Sequence, residues 1–151
     1  MTLLHAMQKL IIPLLLLCLF SAAACKSGKL SPVDYNKAQI RFGSGGGFTG
    51  AVTTYALLES GKLFEHQSMG VDTFTFLLQM PKADKKALFK EVIATGLDTT
   101  EYTTYGNFYY FLEWKTEADS NRVSWGQDDM KVDSSWIQLY TKLKLLTTPE
   151  E

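Results

Sequence analysis

The chain has 151 residues, 46% of them hydrophobic, with 15 basic against 16 acidic side chains and a formal net charge of −1. One ordinary globular domain accounts for that length and balance. A chain so close to neutral has no electrostatic means of neutralising a phosphate backbone, which argues against DNA or RNA as its main partner.

The apolar residues are unevenly spread. Lys9 supplies a lone positive charge, and Leu10 to Phe20 then runs apolar, broken only by Pro13. These read as the n-region and h-region of an export signal. A helix that crosses a bilayer needs about 20 apolar residues, whereas this run stops at Ser21 in a stretch of small side chains, so cleavage rather than retention is expected. Ala22-Ala23-Ala24 followed directly by Cys25 resembles a bacterial lipobox, with Ala22 where Leu is commoner. The resemblance implies a diacylglyceryl group on the Cys25 sulfur, cleavage before it by a lipoprotein signal peptidase, and acylation of the new amino group.

Cysteine usage points the same way. Cys18 lies inside the h-region, so Cys25 is the one cysteine a mature chain keeps; an unpaired thiol in an oxidising compartment is a liability that lipidation removes. Acyl chains contribute about 0.8 kcal/mol per buried methylene, so two or three of them hold where one would not. Lys26, rather than Asp, after the cysteine resembles lipoproteins passed on to the outer membrane. The expected location is the bacterial cell envelope, lipid-anchored to a membrane, with the outer membrane favoured.

Three segments follow: residues 1–24 as signal peptide, 25–37 as a flexible tether with Ser27, Gly28, Ser31 and Pro32, and 38–151 as one domain. Gln39-Ile40-Arg41-Phe42 is short and β-like, and the glycine-rich stretch from Gly43 to Gly50 reads as a loop. Ala51 to Leu58 is rich in residues that favour extended backbone, and Glu59-Ser60-Gly61-Lys62 turns it into Leu63 to His66, a hairpin. Val71 to Leu78 is a further β candidate, with Phe74, Phe76 and Leu78 expected on one side. After Pro81 the period changes: Leu88 pairs with Val92 and Phe89 with Ile93, and Gly96 sits where a helix would stop, predicting a helix over about 82–95.

Asn107 to Lys115 alternates Phe108, Tyr110, Leu112 and Trp114 against Tyr109, Phe111, Glu113 and Lys115. With the polar turn Glu117 to Asn121 and Arg122 to Trp125, it predicts a second hairpin. Asp133 can cap a last helix in which Trp136, Leu139, Tyr140, Leu143 and Leu146 recur at helical spacing. Hairpins without βαβ crossovers argue for an α+β fold: an antiparallel sheet of five or six strands with two helices packed on one face. Tyr109 and Phe111 then fall on the opposite face, beside Tyr105 in sequence. There they are either covered by another segment or offered as a contact surface.

For catalysis the inventory is poor. Gly45-Gly46-Gly47-Phe48-Thr49-Gly50 satisfies G-x-G-x-x-G, but strand formers follow it where a dinucleotide site needs a helix. His66 is the only histidine after the signal peptide, and a hydrolase would have to use it with an acidic partner such as Glu65. Zinc prefers several His or Cys ligands. Asp128, Asp129 and Asp133 lack the spacing of a calcium loop and read as a solvated turn and a cap. Glu113 and Glu117 bracket a hairpin with nothing to mark them as a catalytic pair. No cofactor and no metal site are expected.

The stretch Ser44, Gly45, Gly46, Gly47, Phe48, Thr49, Gly50 admits two readings: a wide connection using glycine's conformational freedom, or a recognition element. In the second, bare backbone N–H groups form an anion nest or an edge for an extended peptide, and Phe48 is an exposed anchor. Ile40 to Gly50 resembles the opening of the emfourin-type inhibitors of thermolysin-like metalloproteases, which begin with a short strand and a Ser-Gly-Gly-Phe-x-Gly segment. This chain has one extra glycine there. A helix, a hairpin and a closing helix follow in a similar order. The resemblance implies a small non-catalytic domain that blocks a zinc protease, with Ser44 to Gly50 the matching positions. The expected function is a lipid-anchored envelope binding domain; the alternatives are an envelope hydrolase using His66 and a structural accessory of an envelope complex.

Overall fold

A computed structural model describes residues 31–70, 73–104 and 106–148. The expected signal peptide, Cys25, the start of the tether and Tyr105 lie outside the described residues. The chain forms β1 (Gln39–Gly46), β2 (Val52–Leu58), β3 (Lys62–Gln67), β4 (Thr75–Gln79), α1 (Lys82–Ala94), β5 (Tyr102–Thr103), β6 (Phe108–Lys115), β7 (Ser120–Gly126) and α2 (Ser134–Leu145). The strands make one sheet in the order β4-β3-β2-β1-β6-β7-β5. Neighbours are antiparallel except β5, which runs parallel to β7 through Tyr102↔Val123 and Thr103↔Ser124. The α+β class holds, but the expected five or six antiparallel strands become a seven-stranded mixed sheet. The added strand is two residues long, too short to leave a periodic signal.

Alternation assigns the two faces of the sheet. Ile40 and Phe42 of β1, Tyr55 and Leu57 of β2, Leu63 of β3, Leu112 of β6, and Val123 and Trp125 of β7 point to one side. There they pack against Leu88 and Val92 of α1 and Trp136, Leu139 and Leu143 of α2. Burying such a side chain stabilises by roughly 1.5–3 kcal/mol, which is why both helices lie on this face. The Trp136 indole N–H donates to the Thr95 carbonyl at 3.3 Å, and Lys142 pairs with Glu91, so the helices are also tied to each other. α1 ends where the Thr95 hydroxyl donates back to the Val92 carbonyl at 2.7 Å and Gly96 takes φ +74°, a backbone turn that suits glycine. α2 starts where the Asp133 carboxylate accepts the Ser135 N–H at 2.8 Å, and Lys142 and Lys144 stand in its last turn, where cations offset the helix dipole.

A break in register corrects one expectation about β4. Leu63 pairs with Leu78 but Phe64 pairs with Phe76, an irregularity that skips Leu77. An extra residue in one strand reverses the alternation beyond it. Leu78 therefore joins the core, whereas Phe76 meets Phe64 edge-on at 5.7 Å on the back face, away from the helices.

The chain enters at the foot of β1. From Ser31 on, the stretch assigned to the tether is tied to the sheet. The Pro32 carbonyl accepts from Gln39 Nε2 and Arg41 Nη2, both at 3.2 Å, and the Tyr35 hydroxyl accepts the Ser60 N–H at 2.9 Å. Gln39 is fully buried, and these partners make burying its amide tolerable. Among the described residues, no helix is long and apolar enough to cross a membrane.

Candidate functional site

The glycine run divides into two parts. Gly43, Ser44, Gly45 and Gly46 belong to β1, the central strand of the sheet, with β2 on one side and β6 on the other. This corrects the reading of Ser44 to Gly50 as a continuous loop: Gly47 to Ala51 connect the strands, and β1 has no free edge for an extended peptide. Glycine hides a strand because it has little β propensity of its own. Here the cross-strand partners compensate. Gly43 faces Phe111 and Gly45 faces Tyr109 on β6, and the rings lie over the bare backbone: a Cβ on Gly43 would meet the Phe111 ring at 3.0 Å and one on Gly45 the Tyr109 hydroxyl at 2.7 Å. Aromatic side chains supply the packing that a glycine lacks. Arg122 adds a lid, its guanidinium 3.9 Å from the centre of the Phe111 ring. Phe111 is accordingly 1% exposed, and the cover shown over its ring is Arg122 of the neighbouring strand, not the separate segment expected from the sequence.

The connection itself is a tight turn. Gly46, Gly47 and Gly50 take φ of +105°, +73° and +64°, values that favour glycine. Gly46 N–H donates to Ala51 at 3.2 Å, Gly50 N–H to Gly47 at 3.2 Å, and Gly47 N–H across to Asn107 at 2.7 Å. These amides are committed within the protein, so the anion nest is not formed from them. The dinucleotide fingerprint fails too, since β2 rather than a helix follows Gly50. Phe48, at the apex, is fully exposed.

The same end of the sheet gathers other exposed apolar side chains. Ser68 and Val52 exchange hydrogen bonds of 2.8 and 2.9 Å, which brings the loop bearing Met69 alongside; Phe108 begins β6, and Met130 follows β7. Met69, Met130 and Phe108 are all solvent-exposed. An open cavity of about 720 Å³ lies here, lined by Thr104, Asn107, Phe108, Asp128, Asp129 and Met130 among others. The Asp129 carboxylate accepts from the Thr104 hydroxyl at 2.6 Å, the Tyr102 hydroxyl at 2.9 Å and the Lys131 N–H at 2.9 Å. The Thr104 bond and the Lys131 amide hold its carboxyl below the usual carboxylate range. It is a brace for β5 and the 126–131 loop. Sequence reasoning missed it because Tyr102, Thr104 and Asp129 are far apart in the chain.

A second polar cluster was not anticipated. Tyr140 on α2 packs against the rings of Tyr110 at 5.2 Å and Trp125 at 5.7 Å, and burial pushes its phenol up to about 12. One turn on, Lys144 lies 4.4 Å from the Tyr55 ring centre and is held below the usual lysine range by burial. The Tyr55 hydroxyl donates to Glu65 at 3.2 Å. Tyrosine and lysine together can move protons, but a general base needs a pKa near the working pH, and the Tyr140 shift runs the other way. Tyr140 stays protonated, its ring packing α2 against β6 and β7.

Glu65 and His66, adjacent in β3, are directed apart. Neighbours in a strand point to opposite faces, so Glu65 turns toward the helices and Tyr55 while His66 turns to the back face, its ring 5.1 Å from that of Phe74. Glu113 accepts from the Ser120 hydroxyl at 2.8 Å and sits near Arg122. Asp133 is the α2 cap, and among the described residues no three His, Cys, Asp or Glu side chains are grouped to hold a metal ion. No protein-family model matches the chain, and no curated protein is similar enough to match it.

Proposed function

We propose that the protein is a lipid-anchored binding module of the bacterial cell envelope, held through Cys25, that engages a protein partner with the sheet end around Phe48 and performs no chemistry of its own. One observation supports this above the rest: Phe48 stands fully exposed on a turn fixed by Gly46, Gly47 and Gly50. An aromatic side chain on a fixed backbone binds with little ordering cost, and such residues dominate interface energetics. Met69, Phe108 and Met130 enlarge the apolar surface beside it. Ser44, Gly45 and Gly46, offered by the sequence as binding residues, act here from below, by setting the height and angle of the turn. The partner class is a thermolysin-like metalloprotease, on the strength of the resemblance of Ile40 to Gly50 to emfourin-type inhibitors.

The test is a titration of the mature chain against a thermolysin-like protease, reading residual peptide hydrolysis. Inhibition is expected, weakened about 30-fold by Phe48→Ala, the loss of roughly 2 kcal/mol typical of a central aromatic anchor. No inhibition by the unmutated chain removes the inhibitor reading. Equal recovery of every envelope partner by the unmutated and Phe48→Ala proteins removes the Phe48 surface altogether.

A further inference from the structure

At the opposite end of the sheet, α1 turns one flank outward. Lys85 and Lys86 each lie three or four residues from Lys82 and from Phe89, and Ile93 follows Phe89 by four, so the five share one side of the helix. With Trp114 of β6 they line a groove of about 360 Å³ whose floor is the Phe89 and Trp114 rings, edge-on at 5.9 Å. Ile93 is 49% exposed beside them. Lysines around half-exposed Trp, Phe and Ile are the composition of a surface that meets a bilayer at headgroup level, where ammonium groups find phosphates and the rings lie at the acyl boundary. Glu59, also in the groove, is one acidic group against three lysines.

The route of the chain says what lies opposite. Ala38, the residue before β1, lines this same groove, and Ser31 follows Cys25 by six residues, a span of at most about 20 Å. A lipid on Cys25 therefore keeps the foot of the sheet close to the membrane. Phe48 lies beyond the far end of the eight-residue β1, about 25 Å further on at strand spacing. We infer that the Lys82, Lys85 and Lys86 flank of α1 seats on the anionic headgroups of the bilayer that carries the anchor, which turns the Phe48 end away from the membrane. This rests on the lipid-anchor reading for its orientation, but the surface can be tested without the lipid.

The experiment uses the mature chain with Cys25→Ser, so that no acyl group contributes, and sedimentation with phosphatidylcholine vesicles or the same vesicles doped with phosphatidylglycerol. Binding is expected to the doped vesicles only and to fall as salt rises. Each lysine near an anionic surface supports several-fold of binding, so Lys82→Glu/Lys85→Glu/Lys86→Glu should bind at least about tenfold more weakly. The corresponding triple Gln variant should fall between, with thermal midpoints unchanged, and Phe48→Ala should bind as before. Equal partitioning onto both vesicle types, or undiminished binding by the Glu and Gln variants, overturns the inference. Mass spectrometry of the exported chain tests the anchor separately: an unmodified Cys25 alongside charge-selective vesicle binding would remove the lipid and leave the surface standing.

Discussion

Gly43 and Gly45 have no room for a side chain, whereas Gly47 and Gly50, a few residues further along, face open space. A Cβ on Gly43 would lie 1.9 Å from the Thr53 carbonyl oxygen, and one on Gly45 within 3 Å of Tyr109 and Val52; at Gly47 and Gly50 nothing comes within 4 Å. The outer pair is glycine for a different reason, its positive φ. One residue type thus meets two demands in a single run. Inside the sheet it makes space that Phe111 and Tyr109 fill, and outside it permits the backbone path that lifts Phe48 into solvent. The inner half is a packed platform and the outer half the surface it presents.

The sharpest way to break that division is Gly43→Ala. The clash is with backbone, which cannot swing aside, so a loss of about 4 kcal/mol or more is expected, comparable with the whole margin of a domain. Urea unfolding followed by circular dichroism measures it; a variant within about 0.5 kcal/mol of the unmutated protein would mean that the platform is not packed. Gly45→Ala should cost less, about 1–3 kcal/mol, because its nearest neighbours are side chains. Much of that cost should vanish when Tyr109→Ala is already present, since the ring that must move is gone; Val52 retains the rest. Additive effects of the two substitutions in a double-mutant cycle would contradict the ring-over-glycine arrangement.

The two halves were not equally legible in the sequence. Both helices were, because Leu88 and Val92, or Trp136, Leu139 and Leu143, repeat at helical spacing, and Asp133 and Gly96 mark ends by chemistry that acts locally. The aromatic alternation of β6 was legible for the same reason. The inner glycines were not: their strand is stabilised by Phe111 and Tyr109, more than sixty residues away, and the available signal was a faint one. Gly43 and Gly45 alternate with Phe42 and Ser44 at strand period, matching the alternation of Tyr109 and Phe111. β5 and the skipped Leu77 were invisible because both are set by tertiary pairing. At the candidate site, Phe48 could be picked out as an exposed aromatic, whereas Met69, Phe108 and Met130 come beside it only through the fold.

At the same end of the sheet as Phe48, β5 and the loop after β7 are braced through the Asp129 carboxylate, and acid should expose this. Asp129 titrates below the usual carboxylate range in the folded protein, so its contribution is present above the unfolded pKa near 4 and is lost as pH falls through the lower folded value. Asp129→Asn should lower the thermal midpoint at neutral pH, and the gap to the unmutated protein should close on acidification. A gap that stays constant down to pH ~2 would show that the carboxylate charge is not what holds Thr104, Tyr102 and the Lys131 amide together.

The smallest expected effect tests the outer half from the other side. Phe48 makes no core contact, its ring being fully exposed, so Phe48→Ala removes apolar surface from water in the folded and unfolded states alike. Stability should change by less than about 0.5 kcal/mol, as for surface positions generally. The comparison requires this near-silence. If thermal unfolding shows Phe48→Ala costing as much as Gly45→Ala, then Phe48 belongs to the platform, and weaker partner binding by that variant would report loosened structure instead of a lost anchor. If unfolding is unchanged while binding falls, the effect lies at the interface, because the turn formed by Gly46, Gly47 and Gly50 is still there to hold whatever stands at its apex.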